Sequence, residues 1–340
     1  MERKLLGRRY TYDGKAHYKL NDVQIKAKQR VEERINSGEY HFETYACECG
    51  SKEDSFRILA EKDRYGFKVQ TVICKNCGLM MTNPRMTQEA YNLFYDSEYR
   101  KIYLGVESAN DVGENFFASR KGRGRKIAEF VGNEVGESIK SVLEIGCSAG
   151  AILEAFKEKG CKVKGIDLGG EYIEYGKKRG LDLEQCASAE LLKRDEKYDL
   201  IILSHVFEHF LDIESELKVI RNLLNDSGVL YLEVPGVLSI SKTYASDFLS
   251  FLQNAHIYHF TLHSLQDVMA RYGWEMVKGN EGIRSLFRPN KSVSVENRNE
   301  YFFIMKQLKR MEFYRPMVNA YLYIEQKIFS IGSKLIGRRN

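Results

Sequence analysis

From about residue 126 onward, two hydrophobic periods alternate along the chain. Short apolar runs at 142–145, 162–167, 200–203 and 229–234 predict strands. Between and after them, apolar residues recur by threes and fours over 151–159, 171–179, 213–224 and 264–272, which predicts helices. Strands that are apolar on nearly every position, joined by short connections, imply a parallel sheet covered on both faces. The expected class is α/β: a doubly wound, mostly parallel sheet of seven strands. Residues 274–278 and 300–305 are read as its last two strands, with 279–298 as a long polar excursion between them.

The flanking segments carry other patterns. Residues 1–40 are polar and helix-prone, with Asn21 or Asp22 as cap, Val23, Ala27, Val31 and Ile35 on one face, and Gly38 as the stop. Residues 41–96 form a small module. It holds two cysteine pairs, Cys47-Glu48-Cys49-Gly50 and Cys74-Lys75-Asn76-Cys77-Gly78, with hairpin-like alternation at 67–73 and a short aromatic helix at 89–95. Residues 97–125 connect it to the main domain, 126–307. In the tail, 308–340, Met311, Tyr314, Val318, Tyr321, Ile324, Ile328, Ile331 and Leu335 make an amphipathic helical stripe, interrupted by Pro316 and ending among Lys334, Arg338 and Arg339. Packing on the main domain or on another subunit is the first expectation for it, and peripheral contact with a membrane surface the second.

Composition narrows the class. The 340 residues are 43% hydrophobic and 29% charged with four prolines, as in ordinary soluble enzymes, and a net charge of +5 is too mild to argue for a polyanionic partner. No apolar run reaches the roughly 18–20 residues of a membrane span, and Met1-Glu2-Arg3-Lys4 lacks a signal-like apolar core. A cytoplasmic location is expected. Reduced thiols there make the seven cysteines metal ligands or buried small residues, with Cys147, Cys161 and Cys186 in the second group.

The run Ser141-Val142-Leu143-Glu144-Ile145-Gly146-Cys147-Ser148-Ala149-Gly150 reads as a strand, a glycine turn and a helix start, with Asp167 closing the next strand. This suits a nucleoside cofactor. A dinucleotide would need G-x-G-x-x-G, but Ser148 stands at the middle glycine and Glu144 would repel a diphosphate. A cofactor with an ammonium group and a ribose diol fits better.

These pieces, with Gly165-Ile166-Asp167, Ala187-Ser188-Ala189-Glu190, the run 198–209 ending Ser204-His205-Val206-Phe207-Glu208-His209, and 224–235, resemble the class I S-adenosylmethionine-dependent methyltransferases over about residues 120–306. The resemblance implies a methyltransferase of class EC 2.1.1 using S-adenosylmethionine. It puts Glu144, Gly146 and Gly150 at the amino-acid end of the cofactor, Asp167 at the ribose, Ala189 and Glu190 near the adenine, and Ser204 and His205 beside the methyl group. Cys147 and Leu168 are counted with them. Ser148 departs from the glycine usual in the family.

His205-Val206-Phe207-Glu208-His209 also matches H-x-x-E-H, a helical zinc-hydrolase pattern. It follows an apolar strand directly, so it reads as a strand end and loop. Cys47, Cys49, Cys74 and Cys77 are instead the expected ligands of a structural zinc in a ribbon-like module, although one residue separates the first pair where two or more are usual.

Such a module joined through Met80-Met81-Thr82-Asn83-Pro84-Arg85 to this domain, with the phrase His256-Ile257-Tyr258-His259-Phe260-Thr261, resembles bacterial methyltransferases of surface polysaccharides and sugars. That implies O-methylation of a sugar, nucleotide-sugar or glycan hydroxyl. His259, ahead of a Thr261 helix cap, is the first candidate base, followed by His256 and His209, and Lys242, Arg284 and Arg288 are candidates for an acceptor phosphate. Two other classes are weighed. RNA modification would use the cysteine module, but acidic residues interrupt the basic arm. A non-catalytic scaffold would have lost the cofactor acids, whereas Glu144 and Asp167 are both present.

Overall fold

The computed structural model describes residues 1–108, 113–135 and 138–336. The N-terminal part contains β1 (Glu2–Arg3), α1 (Asp22–Asn36), β2 (Phe42–Glu43), β3 (Phe56–Lys62), β4 (Lys68–Cys74), β5 (Met80–Thr82) and β6 (Arg85–Met86). Next come α2 (Gln88–Phe94), a π-helical turn at Tyr95–Tyr99, α3 (Arg100–Leu104) and α4 (Gly113–Val135). The main domain runs β7 (Ser141–Ile145), α5 (Ala151–Lys157), β8 (Lys162–Asp167), α6 (Gly170–Lys177), β9 (Leu183–Gln185), β10 (Tyr198–Ser204), α7 (Ile213–Leu223) and β11 (Leu224–Glu233). After it follow α8 (Ile240–Thr243), α9 (Phe248–Phe251), β12 (Tyr258–His259), α10 (Leu262–Arg271), β13 (Trp274–Gly279), β14 (Arg284–Pro289) and α11 (Tyr301–Ile336).

Seven strands pair in the order β13-β14-β11-β10-β7-β8-β9. β9, β8, β7, β10 and β11 are mutually parallel, and β14 runs antiparallel to both β11 and β13. Alternation within β10 explains the two layers. Leu200 and Ile202 face the cluster that includes Ile127, Ile152 and Phe156, while Ile201 and Leu203 face the one with Leu217, Ile220 and Leu265. Because both faces are covered, no position on the strand can be polar without a partner. Strand order reverses between β7 and β10, which opens a crevice at their carboxyl ends, the usual ligand position in such sheets.

The last strand corrects the reading of 300–305. Tyr301, Ile304, Met305, Leu308 and Met311 are buried at helical spacing while Phe302 and Phe303 are exposed, so this segment begins α11. The seventh strand is β14, built on Ser285-Leu286-Phe287, three fully buried residues inside the stretch read as polar. The expected boundary at 307/308 therefore falls within α11, and that at 125/126 within α4. α11 packs against α9 up to Met311, whereas Tyr314, Tyr321 and Ile324 of the stripe are exposed and Val318 is half-buried. The side chains of Ile328, Ile331, Lys334 and Leu335, and residues Arg338 and Arg339, lie outside the described residues. No described helix is long and apolar enough to cross a membrane.

A second sheet, β1-β3-β4-β5-β12, combines strands from the arm, the cysteine module and the distal half of the chain. Tyr258 and His259 of β12 pair antiparallel with Met81 and Met80. Asn21 caps α1 with a reciprocal bond to Gln24, and Thr261 caps α10, as their positions predicted.

Candidate active site

The crevice starts with the turn after β7. Gly146, Ser148 and Gly150 have φ of 74°, 52° and 72°, the left-handed region that glycine adopts freely. The Gly146 and Cys147 amides donate to Ile166 O at 2.8 and 3.0 Å, tying the turn to β8. A Cβ on Gly146 would come within 2.4 Å of Val206 Cγ2, so a side chain has no room there. Ser148 is accommodated because its amide donates to Asp167 Oδ2 at 2.8 Å. Asp167 Oδ1 accepts from Gly169 N at 2.7 Å and from Arg100 Nη2 at 2.8 Å. Glu144 is 2% exposed and its Oε2 has no hydrogen-bond partner; burial pushes its carboxyl well up, opposed first by Arg120.

From this turn a cavity of about 710 Å³ extends along the sheet edge. Gly146, Asp167, Leu168, Ser204 and His205 line it, whereas Glu144, Cys147 and Gly150 do not reach its wall. Ala189 and Glu190 do not line it either. Glu190 Oε1 accepts from Ala187 N at 3.0 Å and closes a local turn, so the wall there is Cys186, Ala187 and Ser188. Arg123, whose Nη1 lacks a hydrogen-bond partner, also faces the cavity. Lys242, Arg284 and Arg288 do not, and Arg284 is paired with Glu233.

The opposite end gathers residues distant in sequence. His209 Nδ1 lies 2.8 Å from Ala255 O, so this nitrogen carries the proton and Nε2 presents its lone pair. The Gln253 side chain accepts from Arg64 Nη2 at 2.8 Å through its oxygen and turns its amide nitrogen to His256 Nε2, which is therefore also a lone pair. Both imidazoles face Glu208 Oε1 at 3.8 Å, and His205 Nδ1 lies 3.6 Å from the same oxygen. Glu208 is 1% exposed with neither oxygen hydrogen-bonded. Burial pushes its carboxyl up to about 7, lowers His209 and His256, and takes His205 down to about 4. His259 is fully buried outside the cavity wall, with both ring nitrogens unpartnered and its pKa pushed down by burial to about 3. It lacks access to an acceptor there.

The N-terminal module sets the distal half of this end. Thr82 Oγ1 donates to His256 O at 2.7 Å, Thr82 N to Ile257 O at 2.9 Å, and Tyr91 OH to Ala255 O at 2.8 Å. The β3–β4 turn adds Arg64 and the buried Asp63, which accepts from Asn254 N at 2.9 Å. Sequence reasoning missed Arg64, Tyr91, Arg100 and Arg123, because a charged turn or an aromatic on a helix looks the same whether or not it borders a cavity.

In the module itself, Cys47 Sγ is 3.5 Å from Cys77 Sγ and Cys49 Sγ 3.7 Å from Cys74 Sγ, and all four sulfurs lie within 4.8 Å of one another. Gly50 and Gly78, with φ of 83° and 90°, fold the two loops around them. A tetrahedron with Zn–S bonds of about 2.3 Å has edges of about 3.8 Å, which these separations match.

Residues 118–278 match a family model described as a methyltransferase domain. Among curated proteins, a ubiquinone biosynthesis O-methyltransferase of Pelagibacter ubique (strain HTCC1062) is 33% identical over 96 residues, 27% of this chain and 40% of that protein. C-methyltransferase NovU of Streptomyces niveus is 26% identical over 238 residues, 67% of this chain and 52% of that protein. The chain thus spans about half the length, or less, of these two relatives. Among solved structures, the plantazolicin methyltransferase BpumL in complex with SAH aligns at 17% identity with a TM-score of 0.45, over 66% of this chain and 87% of that one. The matched family and the order of its parallel strands identify residues 118–278 as a class I S-adenosylmethionine-dependent methyltransferase domain, whose sheet β14 completes just beyond the matched stretch.

Proposed function

We propose that the protein transfers a methyl group from S-adenosylmethionine to a small polar acceptor, at a hydroxyl or at an acidic carbon, with a sugar or nucleotide sugar as the favoured class. The observation that carries this is one cavity joining the glycine turn and Asp167 to the Glu208-His209-His256 cluster. S-adenosylmethionine supplies an electrophilic methyl on a sulfonium. Asp167 would hold the ribose and Arg123 Nη1 the carboxylate, with the buried Glu144 behind the glycine turn. Proton removal from the acceptor falls to the far cluster, which offers two unprotonated imidazole nitrogens. Likeness to enzymes named for O- and for C-methylation supports both acceptor atoms, since each loses a proton to a base. A cleft walled by tyrosines and charged groups suits a polyhydroxy molecule.

Calorimetry with S-adenosylmethionine, followed by labelled-methyl transfer to a panel of hydroxy and keto nucleotide sugars, tests this. Absence of cofactor binding overturns the reading, and transfer to RNA alone overturns the acceptor class. We also propose that Cys47, Cys49, Cys74 and Cys77 bind a structural zinc. Cys74→Ser should then lose that ion and lower the melting temperature, since the ion would tie the two cysteine loops together.

A further inference from the structure

Glu208, His209 and His256 bring three acceptors together. His209 gives its one N–H to Ala255 O and His256 Nε2 takes the Gln253 amide, and each ring's Nε2 lies 3.8 Å from a buried carboxylate that itself has no donor. Lone pairs converging in a dry site repel one another unless a cation lies among them. The three ligand atoms lie within 4.8 Å of one another. The two N···O separations of 3.8 Å are too long for hydrogen bonds and near the edge, roughly 3.3 Å, of a tetrahedron with 2.0–2.1 Å metal bonds. An Nδ1–H fixed on a backbone carbonyl is also the usual way of aiming a metal-binding imidazole.

We propose that Glu208, His209 and His256 bind a divalent transition-metal ion as a two-histidine, one-carboxylate set, with open positions toward the cavity. His256 exchanges its Gln253 contact for the ion, the open positions take acceptor oxygens, and an ion there would acidify the acceptor so that its proton passes to solvent, in place of direct abstraction by His209 or His256 Nε2. This role rests on the methyltransferase reading, but the ion's presence does not. Two-histidine, one-carboxylate sites with vacant positions suit iron(II), and imidazole equally suits zinc. His205, partly exposed at the cavity edge, stays outside the set.

The test is metal stoichiometry of the full chain, equilibrated with zinc and separately with iron(II) under anaerobic conditions, then freed of excess. With zinc, two equivalents per chain are expected, falling to one in Glu208→Gln and in His209→Ala and also to one in Cys74→Ser. Glu208→Gln preserves shape and removes the charge, so it reports on the site even if the alanine variant does not fold. Unchanged stoichiometry in a folded Glu208→Gln for both metals overturns the proposal and leaves a proton on Glu208 as the cation. Cofactor calorimetry run on the same samples separates the readings: metal binding without S-adenosylmethionine binding keeps the site and removes the methyltransferase role.

Discussion

Arg100 Nη2 donates to Asp167 Oδ1 at 2.8 Å while its guanidinium lies 4.1 Å from the Tyr172 ring centroid. Asp167 already accepts from two backbone amides, so Arg100 occupies much of the acceptor capacity that a ribose diol would use. Binding must displace or share that contact. Arg100→Ala is expected to tighten S-adenosylmethionine binding several-fold, whereas Asp167→Ala should weaken it by roughly 10- to 100-fold, the range for hydrogen bonds to a charged group. Calorimetry on both variants checks the pair, and weaker binding in Arg100→Ala would make the arginine a cofactor contact.

Gly146 should tolerate no side chain. Gly146→Ala adds about 1–2 kcal/mol of left-handed backbone strain and a clash with Val206. Pairing it with Val206→Ala removes the clash only, so cofactor affinity should recover in part. Full recovery would show that conformation is not limiting.

His259 makes the fold sensitive to acid. Its pKa is about 3 in the folded chain and about 6.5 when unfolded. The unfolded chain therefore takes up a proton that the folded chain refuses. The stability is present above about pH 6.5 and is lost as pH falls from there toward 3. His259→Phe should flatten part of the fall in melting temperature between pH 8 and 5. It should also keep methyl transfer, since this ring lies outside the cavity wall.

Thr82 joins the module to the cluster through the main chain of His256 and Ile257. Thr82→Val removes the hydroxyl at constant shape and leaves the His256 carbonyl short of a donor. We expect kcat to fall by roughly 10- to 100-fold, as for a catalytic group displaced by about 1 Å, with unchanged cofactor affinity. Steady-state kinetics with calorimetry separates the two, and an equal loss in both would point to general unfolding.

Legibility differed from element to element. β7, β10 and β11 were plain because strands buried on both faces leave a continuous apolar run, and β8 because Gly165-Ile166-Asp167 closes it after Val163. β14 was not, because only three apolar or small residues lie between Arg284 and Arg288. Residues 300–305 misled because a half-buried helix start of mixed aromatic residues shows no period over six positions. Within the cofactor end, Gly146 and Asp167 are named by strand–turn–helix grammar, which is local. Ala189 and Glu190 do not line the cavity while Cys186, Ala187 and Ser188 do, because the turn held by Glu190 is invisible to a motif.

The sequence by itself determined the parallel strands of the sheet, the glycine turn with its acid, and the four-cysteine cluster, since each depends on spacing within a few tens of residues. Tertiary structure decided which histidines face the cavity. β12 pairs with β5 and turns His259 into the core, while Thr82, bonded to the main chain of His256 and Ile257, holds the preceding loop so that His256 lines the cavity beside Glu208. A strand sends neighbouring side chains to opposite faces, and only the partner strand says which face is the core.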